Sequence, residues 1–286
     1  MIVALTVVAI LSTGMAVFLR APLQAYFDVT GRALIGDAAD LTLKRLSEDV
    51  ATALPNSVRI RQVGASYFLE FLQVRTSGRY RNGTPYPAGC PGNASLDFGV
   101  VDNCFVTVGP VAGAVAPVAG DFIVVDNGGA GCPVNAYTSG AATGGNKSQV
   151  TGYTQFGGAA PYDRIRMQNV TLPATCQSPN FLFYVVSQAV SYECDPSPGN
   201  PSAGVLLRHS GYPIAALQPV AFGGGTTAQL ATGVAGCAFS YLSNPNASTA
   251  SGTVGVSLVL SRTDAAAATG TESVTLFTQI HVNEAL

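Results

Sequence analysis

The stretch SVRIRQVGASYFLEFLQVRTSGRYRNG, residues 57–83, predicts a β-hairpin. Val58 and Ile60 alternate with two arginines, which is the two-residue period of a half-buried strand. A Gly-Ala-Ser turn follows at 64–66, and residues 67–74 are rich in the aromatic and β-branched side chains that favour strands. We therefore expect a β-sheet to begin directly after residue 56.

The segment before the hairpin predicts an amphipathic helix. Over residues 28–54 the apolar side chains recur at spacings of three and four, with charged residues between them. Pro55 disfavours a helical conformation at the residue before it, so the helix is expected to end there. The apolar face expected to pack on the sheet consists of Leu43, Leu46, Val50 and Leu54.

The first residues form a charge-free apolar run from Ile2 to Leu19. As a helix this run would be about 27 Å long, close to the thickness of about 30 Å of a bilayer core. It lacks the basic region of a cleaved secretory signal. We expect residues 1–20 to be a transmembrane and assembly helix and residues 21–54 its amphipathic continuation. A buried core helix is the alternative.

Downstream of the hairpin, β-prone segments alternate with loops rich in Gly, Pro, Asn and Ser. Residues 109–158 are expected to be mostly long surface loops. The sequence thus predicts an α+β fold, in which a long N-terminal helix packs on an antiparallel β-rich domain, residues 55–286. The predicted strands are 104–108, 121–125, 164–170, 181–188, 190–194, 204–208, 237–242, 254–260 and 273–282.

The six cysteines indicate disulfides. None stands in a C-x-x-C pair and the chain has only two histidines, which argues against a zinc site. An even number of scattered cysteines is typical of proteins in an oxidising compartment such as the periplasm. Six cysteines allow fifteen connectivities. The favoured pairs are Cys90–Cys104 by proximity, Cys194–Cys237 because each lies at the edge of a strand-like run, and Cys132–Cys176 by elimination.

Composition and motifs indicate no enzyme, no cofactor and no nucleic-acid partner. Charged residues make up 10% of the chain and the net charge is −2, so no basic surface is expected to neutralise phosphates. The hydrolase elbow, the P-loop and the H-E-x-x-H signature are missing. His209 and His281 stand in strand-like segments, where a structural role is favoured. Asp121 and Asp126, near glycines, could offer oxygen ligands to calcium, although a hairpin loop is the favoured interpretation.

An ordered set of segments resembles type IV pilins and the pseudopilins of related secretion systems, in particular the minor pilins of MSHA-type pili. The processing motif of this family, Gly-Phe-Thr-Leu-x-Glu after a basic leader, is not in the sequence, so we expect the natural start to lie upstream. The segments that carry the resemblance are IVALTVVAILS (2–12), DAADLTLKRLSEDVATALPNSVRI (37–60), the hairpin, SYECDPSPG (191–199), LLRHSGYPI (206–214), QP (218–219), LATGVAGCAFSY (230–241), GVSLVLSR (255–262) and ESVTLFTQIHV (272–282).

The resemblance implies a structural subunit that takes part in the assembly, priming or tip of a type IV pilus or secretion pseudopilus. It also implies a single-pass protein of the bacterial inner membrane with a periplasmic C-terminal domain. The implied partners are other pilin subunits, the assembly platform and membrane lipid. A membrane-anchored adhesin outside any filament, with residues 109–158 as its ligand surface, is the alternative. The helix residues implied to contact lipid and later neighbouring helices are Ile2, Leu5, Val8, Leu11, Gly14 and Phe18.

Overall fold

The elements of the fold are taken from a computed structural model that describes residues 1–83, 90–91, 94–111, 115–128, 132, 134–138, 145–158, 161–200, 203–244, 251–263 and 271–282. This part of the chain contains one α-helix, one short 3-10 helix (Ala174–Cys176) and twelve β-strands. The helix α1 spans Ile2–Ala51. The strands are β1 Arg59–Val63, β2 Ser66–Arg79, β3 Val101–Val106, β4 Phe122–Val124, β5 Lys147–Phe156, β6 Tyr162–Thr171, β7 Leu182–Asp195, β8 Val205–Ser210, β9 Thr226–Thr232, β10 Val234–Asn244, β11 Ser251–Thr263 and β12 Thr271–Val282.

The fold is mainly β, so the predicted α+β class is wrong. Two segments without a predicted strand form strands in the structure. Strand β5 lies inside the predicted loop region 109–158 and pairs with β4 and β6, and β9 pairs with β8. Strands are also longer than predicted: β7 runs unbroken where two strands were expected. Pairing with neighbours thus draws polar, weakly patterned segments into the sheets.

The strands form two antiparallel sheets. The larger has nine strands in the order β1-β2-β7-β4-β5-β6-β3, with β8 also paired to β7 and β9 paired to β8. Strand β7 is central, because β2 lies along one side of it while β4 and β8 lie along the other. The smaller sheet has three strands in the order β10-β11-β12.

The main core lies where the C-terminal part of α1 meets both sheets. Leu43, Leu46 and Val50 are buried there in one cluster that includes side chains of β2, β7, β11 and β12. Leu54, just past the helix, is fully buried in a second cluster. Every described side chain before Gly31 is exposed. Among the described side chains of the helix, burial therefore begins at Gly31 and continues towards the C-terminus.

Three disulfides connect the loops and the sheets. They are Cys90–Cys104, Cys132–Cys176 and Cys194–Cys237, the pairs favoured from the sequence. The described part of the chain contains no free cysteine. Cys194 lies in β7 and Cys237 in β10, so the third disulfide joins the nine-stranded sheet to the three-stranded sheet. Disulfides of this kind are consistent with an extracellular or periplasmic protein.

The prediction that residues 1–20 form a transmembrane helix is also wrong. Among the described residues, no helix combines the length and the apolar character needed to cross a membrane. The inner-membrane, single-pass location inferred from this segment is wrong for the same reason.

Candidate assembly surface

The N-terminal part of α1 carries an apolar stripe that nothing in the described chain covers. Its residues recur at spacings of three and four, so they lie on one face of the helix. Their exposed fractions range from 49% to 79%. An exposed apolar surface of this kind marks an interaction site in a folded protein. The apolar stripe consists of Val3, Val7, Leu11, Met15 and Phe18.

The other helix residues implied by the pilin resemblance are also exposed where their side chains are described. Ile2 and Val8 are exposed, with fractions of 79% and 60%. Gly14 lies at the rim of the stripe, and a Cβ atom there would meet nothing within 4 Å. The side chain of Leu5 lies outside the described residues. The implied contact residues with described side chains are therefore free of contacts within the chain that would bury them.

Hydroxyl groups occupy the side of the helix away from the stripe. Thr6 donates a hydrogen bond to the carbonyl oxygen of Val3, and Ser12 and Thr13 donate to carbonyl oxygens one turn earlier. Each hydroxyl is thus satisfied by the helix backbone. The hydroxyls thus add little polarity to this side, which also carries exposed Ile2, so the stripe is the part of a broadly apolar helix surface where large side chains line up.

A buried ion pair fixes the C-terminal end of α1 to the nine-stranded sheet. The Asp49 carboxylate accepts a hydrogen bond of 2.5 Å from Nε of Arg208 in β8 and one of 2.9 Å from the hydroxyl of Tyr192 in β7. The side chains of Asp49 and Arg208 are 6% and 14% exposed. Burial and the Asp49 charge raise the pKa of Tyr192, so its phenol stays protonated and donates. We call these three residues the Asp49 anchor.

A second group of charges holds the middle of α1 against the three-stranded sheet. Glu272 at the start of β12 pairs with Arg32 of the helix and with Arg262 of β11, whose Nη2 lies 2.8 Å from it. Hydrogen bonds from Arg262 and the charges of both arginines lower the pKa of Glu272. Arg262 lies directly on the helix at Gly31, where a Cβ atom would overlap its guanidinium. We call Arg32, Arg262 and Glu272 the Glu272 clamp.

A groove opens between α1 and the sheet beside the Glu272 clamp. It encloses about 520 Å³. Its walls combine apolar side chains of the helix and Leu260 of β11 with hydroxyl-bearing residues of β9 and β11 and with Arg262. The helix therefore does not pack closely on the three-stranded sheet at this point. The lining residues include Leu34, Ile35, Ala38, Gly233, Leu260 and Arg262.

A buried polar cluster positions the first hairpin. Glu70 of β2 is fully buried and accepts hydrogen bonds from Nε of Arg59 at 2.7 Å and from the hydroxyl of Tyr212 at 3.1 Å. The Arg59 guanidinium also lies 3.6 Å from the ring centre of Tyr137. Burial raises the pKa of Glu70, while the Arg59 charge opposes that rise. The members of this cluster satisfy one another, which indicates a structural role.

The two histidines lie in different sheets. His209 in β8 is buried, with Nε2 2.8 Å from Glu193 Oε2 and Nδ1 2.9 Å from Thr227 Oγ1. Its ring stacks on Phe222 at 3.9 Å. His281 in β12 is exposed, and its Nδ1 lies 3.2 Å from a threonine hydroxyl of β11. The structure therefore does not bring them into one site.

The two aspartates considered for calcium do not form a ligand set. Asp121 forms an ion pair of 2.8 Å with Arg75 and accepts a hydrogen bond from the Val118 amide. Asp126 lies in the loop after β4, and burial raises its pKa. Within the described ranges no three His, Cys, Asp or Glu residues group in a way that could hold a metal ion.

The charged anchors of the helix could not be identified from the sequence. Asp49 stands among charged residues that alternate with the apolar face, which favours a position in solvent. One signal was available: Asp49 stands three residues after Leu46 and next to Val50, so it flanks the buried face. Its partner Arg208 follows a strand-like run with no mark of its role, because ion pairs between distant segments leave no local pattern.

Comparison with protein families, with characterised proteins and with solved structures finds no match to this chain. The interpretation of the site therefore depends on its geometry.

Proposed function

We propose that the chain is a structural subunit of an extracytoplasmic filament, of the kind formed by type IV minor pilins and pseudopilins, and that it assembles through the apolar stripe of α1. The observation that supports this proposal is the exposure of the stripe on a helix whose described side chains are buried only from Gly31 onward. The resemblance of the ordered sequence segments to pilins supports it independently.

Burial of the stripe against a neighbouring helix would contribute a moderate free energy of association. Full burial of a Val, Leu, Met or Phe side chain stabilises by about 1.5–3 kcal/mol, and these residues are about half to four-fifths exposed. Five of them would contribute roughly 5–10 kcal/mol. Association costs an estimated 4–15 kcal/mol in lost freedom of motion. The gain and the cost overlap, so the stripe by itself would support weak association that other contacts between subunits would strengthen.

The anchors of α1 suit the same role. In a helical bundle, the β domain must follow the helix into the assembly. The Asp49 anchor and the Glu272 clamp attach the helix to both sheets through ion pairs. The apolar stripe lies N-terminal to both anchors, so partners can reach it without displacing the sheets.

The experiment compares two single substitutions on opposite sides of α1. Leu11→Glu places a carboxylate in the stripe, whereas Ala9→Glu places one about 200° away around the helix. Both variants would be produced from the full chain in cells that make filaments with it. The filament fraction, sheared from the cell surface, would be examined by immunogold electron microscopy and quantified by immunoblotting.

We expect Leu11→Glu to reduce the amount of subunit in filaments at least tenfold, because a buried unpaired carboxylate costs several kcal/mol. Ala9→Glu should remain near the wild-type level. Far-UV circular dichroism and intact disulfides would show that both variants fold. The proposal fails if the wild-type chain is absent from filaments, or if the two variants lose the same amount.

A further inference from the structure

Strand β12 is an open edge of the three-stranded sheet. It pairs with β11 along its whole length, from Thr271 to Val282, without a register shift. Among the described residues it has no strand on its other side. A strand edge presents a row of backbone N–H and C=O groups that can pair with another strand.

Helix α1 packs on the buried face of β12, whereas the sequence of the strand lacks the features that normally protect an edge. Natural edges are short, bulged, or carry lysine, proline or other charges. Strand β12 is 12 residues long and contains neither proline, lysine nor arginine. Its single acidic residue, Glu272, is held by the Glu272 clamp. The remainder of the strand, residues 273–282, is therefore free of charge repulsion against an incoming strand.

The sequence of β12 is complementary to itself in one antiparallel register. Its odd-numbered residues from 273 to 281 are exposed on the outer face, and Phe277, 64% exposed, lies at their centre. Pairing centred on Phe277 places this residue opposite its own copy and Thr275 opposite Gln279. Glu272 would face Val282, so no two like charges meet. Aromatic pairs across strands are stabilising.

We propose that β12 pairs with β12 of a second copy of the chain, so that the two three-stranded sheets join into one six-stranded sheet across a twofold axis. This pairing involves the edge of β12 and not the apolar stripe, so it does not depend on the proposed function. A twofold contact cannot repeat along a filament with one polarity. It would therefore link free subunits, or subunits of two adjacent filaments.

Cysteine cross-linking in the full chain tests the register. Residues directly opposite in an antiparallel pair have Cα atoms about 4.5–5.5 Å apart, which suits a disulfide. Phe277→Cys should therefore form a covalent dimer under mild oxidation. Thr275→Cys alone should not, because its copy is four residues away along the strand, about 13 Å. Mixed Thr275→Cys and Gln279→Cys chains should cross-link.

The products would be separated on non-reducing gels, and the linked peptides identified by mass spectrometry together with the three native disulfides. Leu11→Glu should leave the Phe277→Cys cross-link unchanged, which separates this contact from assembly through the helix. Equal cross-linking at positions 277 and 275, or none at 277, would overturn the proposal.

A charge exchange tests the same register without added cysteines. Thr275→Lys with Gln279→Lys places lysine opposite lysine twice in the dimer, whereas Thr275→Lys with Gln279→Glu places lysine opposite glutamate. We expect the first pair of substitutions to weaken dimerisation at least tenfold and the second to restore it, measured by sedimentation in the Leu11→Glu background. A dimer that persists in the lysine–lysine variant, or fails to return in the lysine–glutamate variant, refutes the proposed register.

Discussion

Removal of the Asp49 carboxylate should detach the C-terminal end of α1 from the nine-stranded sheet. In Asp49→Ala, the Arg208 guanidinium loses its buried counterion and the Tyr192 hydroxyl loses its acceptor. Breaking a buried pair by removing one partner costs about 3–5 kcal/mol, because the remaining charge stays desolvated. Arg208 is 14% exposed and also donates to the Ser210 hydroxyl, so the lower end of this range applies. We expect a loss of about 3 kcal/mol in the free energy of unfolding.

Urea denaturation followed by far-UV circular dichroism would measure this loss, since the chain has no tryptophan to report by fluorescence. With a slope of about 2–3 kcal/mol per molar urea, the midpoint should fall by about 1–1.5 M. Asp49→Asn keeps an acceptor and should lose less. Asp40→Ala, an exposed position on the same helix, should change stability by less than about 0.5 kcal/mol. A loss below about 1 kcal/mol for Asp49→Ala, or an equal loss for Asp40→Ala, would refute the role of the anchor.

Three further perturbations are informative. Gly204→Ala should destabilise the protein by about 2–3 kcal/mol, because its Cβ would overlap a backbone carbonyl oxygen. Gly36→Ala lies in open space on the helix and should stabilise the protein by up to about 1 kcal/mol. The melting temperatures of the two variants should therefore shift in opposite directions. Replacing both Cys194 and Cys237 by serine should cost about 2–4 kcal/mol, since it opens a loop with a sequence separation of 43 residues; an unchanged urea midpoint would contradict this. The pKa of Glu70 is raised in the folded protein, so the stability that its protonated form contributes is fully present below the unfolded pKa and is lost as pH rises through the folded pKa. From pH 7 to 4 the wild type should therefore gain stability relative to Glu70→Gln. A constant difference in stability between the two proteins across this range would be inconsistent with the raised pKa.

Part of the fold could be predicted from local patterns in the sequence. The apolar residues Leu43, Leu46 and Val50 are buried together, because a three- and four-residue spacing places them on one helix face. The first hairpin could also be predicted, since Val58 and Ile60 alternate with arginines, residues 67–74 are β-prone, and the turn between the strands contains Gly64 with φ of +62°. These features depend on short-range geometry that a few neighbouring residues determine.

Long-range pairing could not be predicted in the same way. Strand β9 is mostly exposed and polar, and β5 contains Lys147 and several hydroxyl and amide side chains, so neither shows a hydrophobic period. They are strands because β8, β4 and β6 supply hydrogen-bond partners. The prediction of an α+β fold is wrong for this reason: the N-terminal helix has a strong local pattern, whereas many of the strands have a weak one. The helix anchors were missed for a related reason, since the partners of Asp49 and Glu272 are distant in sequence or unmarked by local pattern.

The joint between helix and sheets has a mechanical consequence. A tension applied at the N-terminal end of α1 would pass first into β12 through the Glu272 clamp and then into β8 through the Asp49 anchor, so it divides between the two sheets. Such a load would tend to slide one sheet past the other. The Cys194–Cys237 disulfide opposes that sliding with a covalent bond between β7 and β10. Strand β9 also continues through Gly233 directly into β10, so the disulfide is a second covalent link between the sheets, and its reduction would leave that one backbone connection to take the load together with packing and ion pairs.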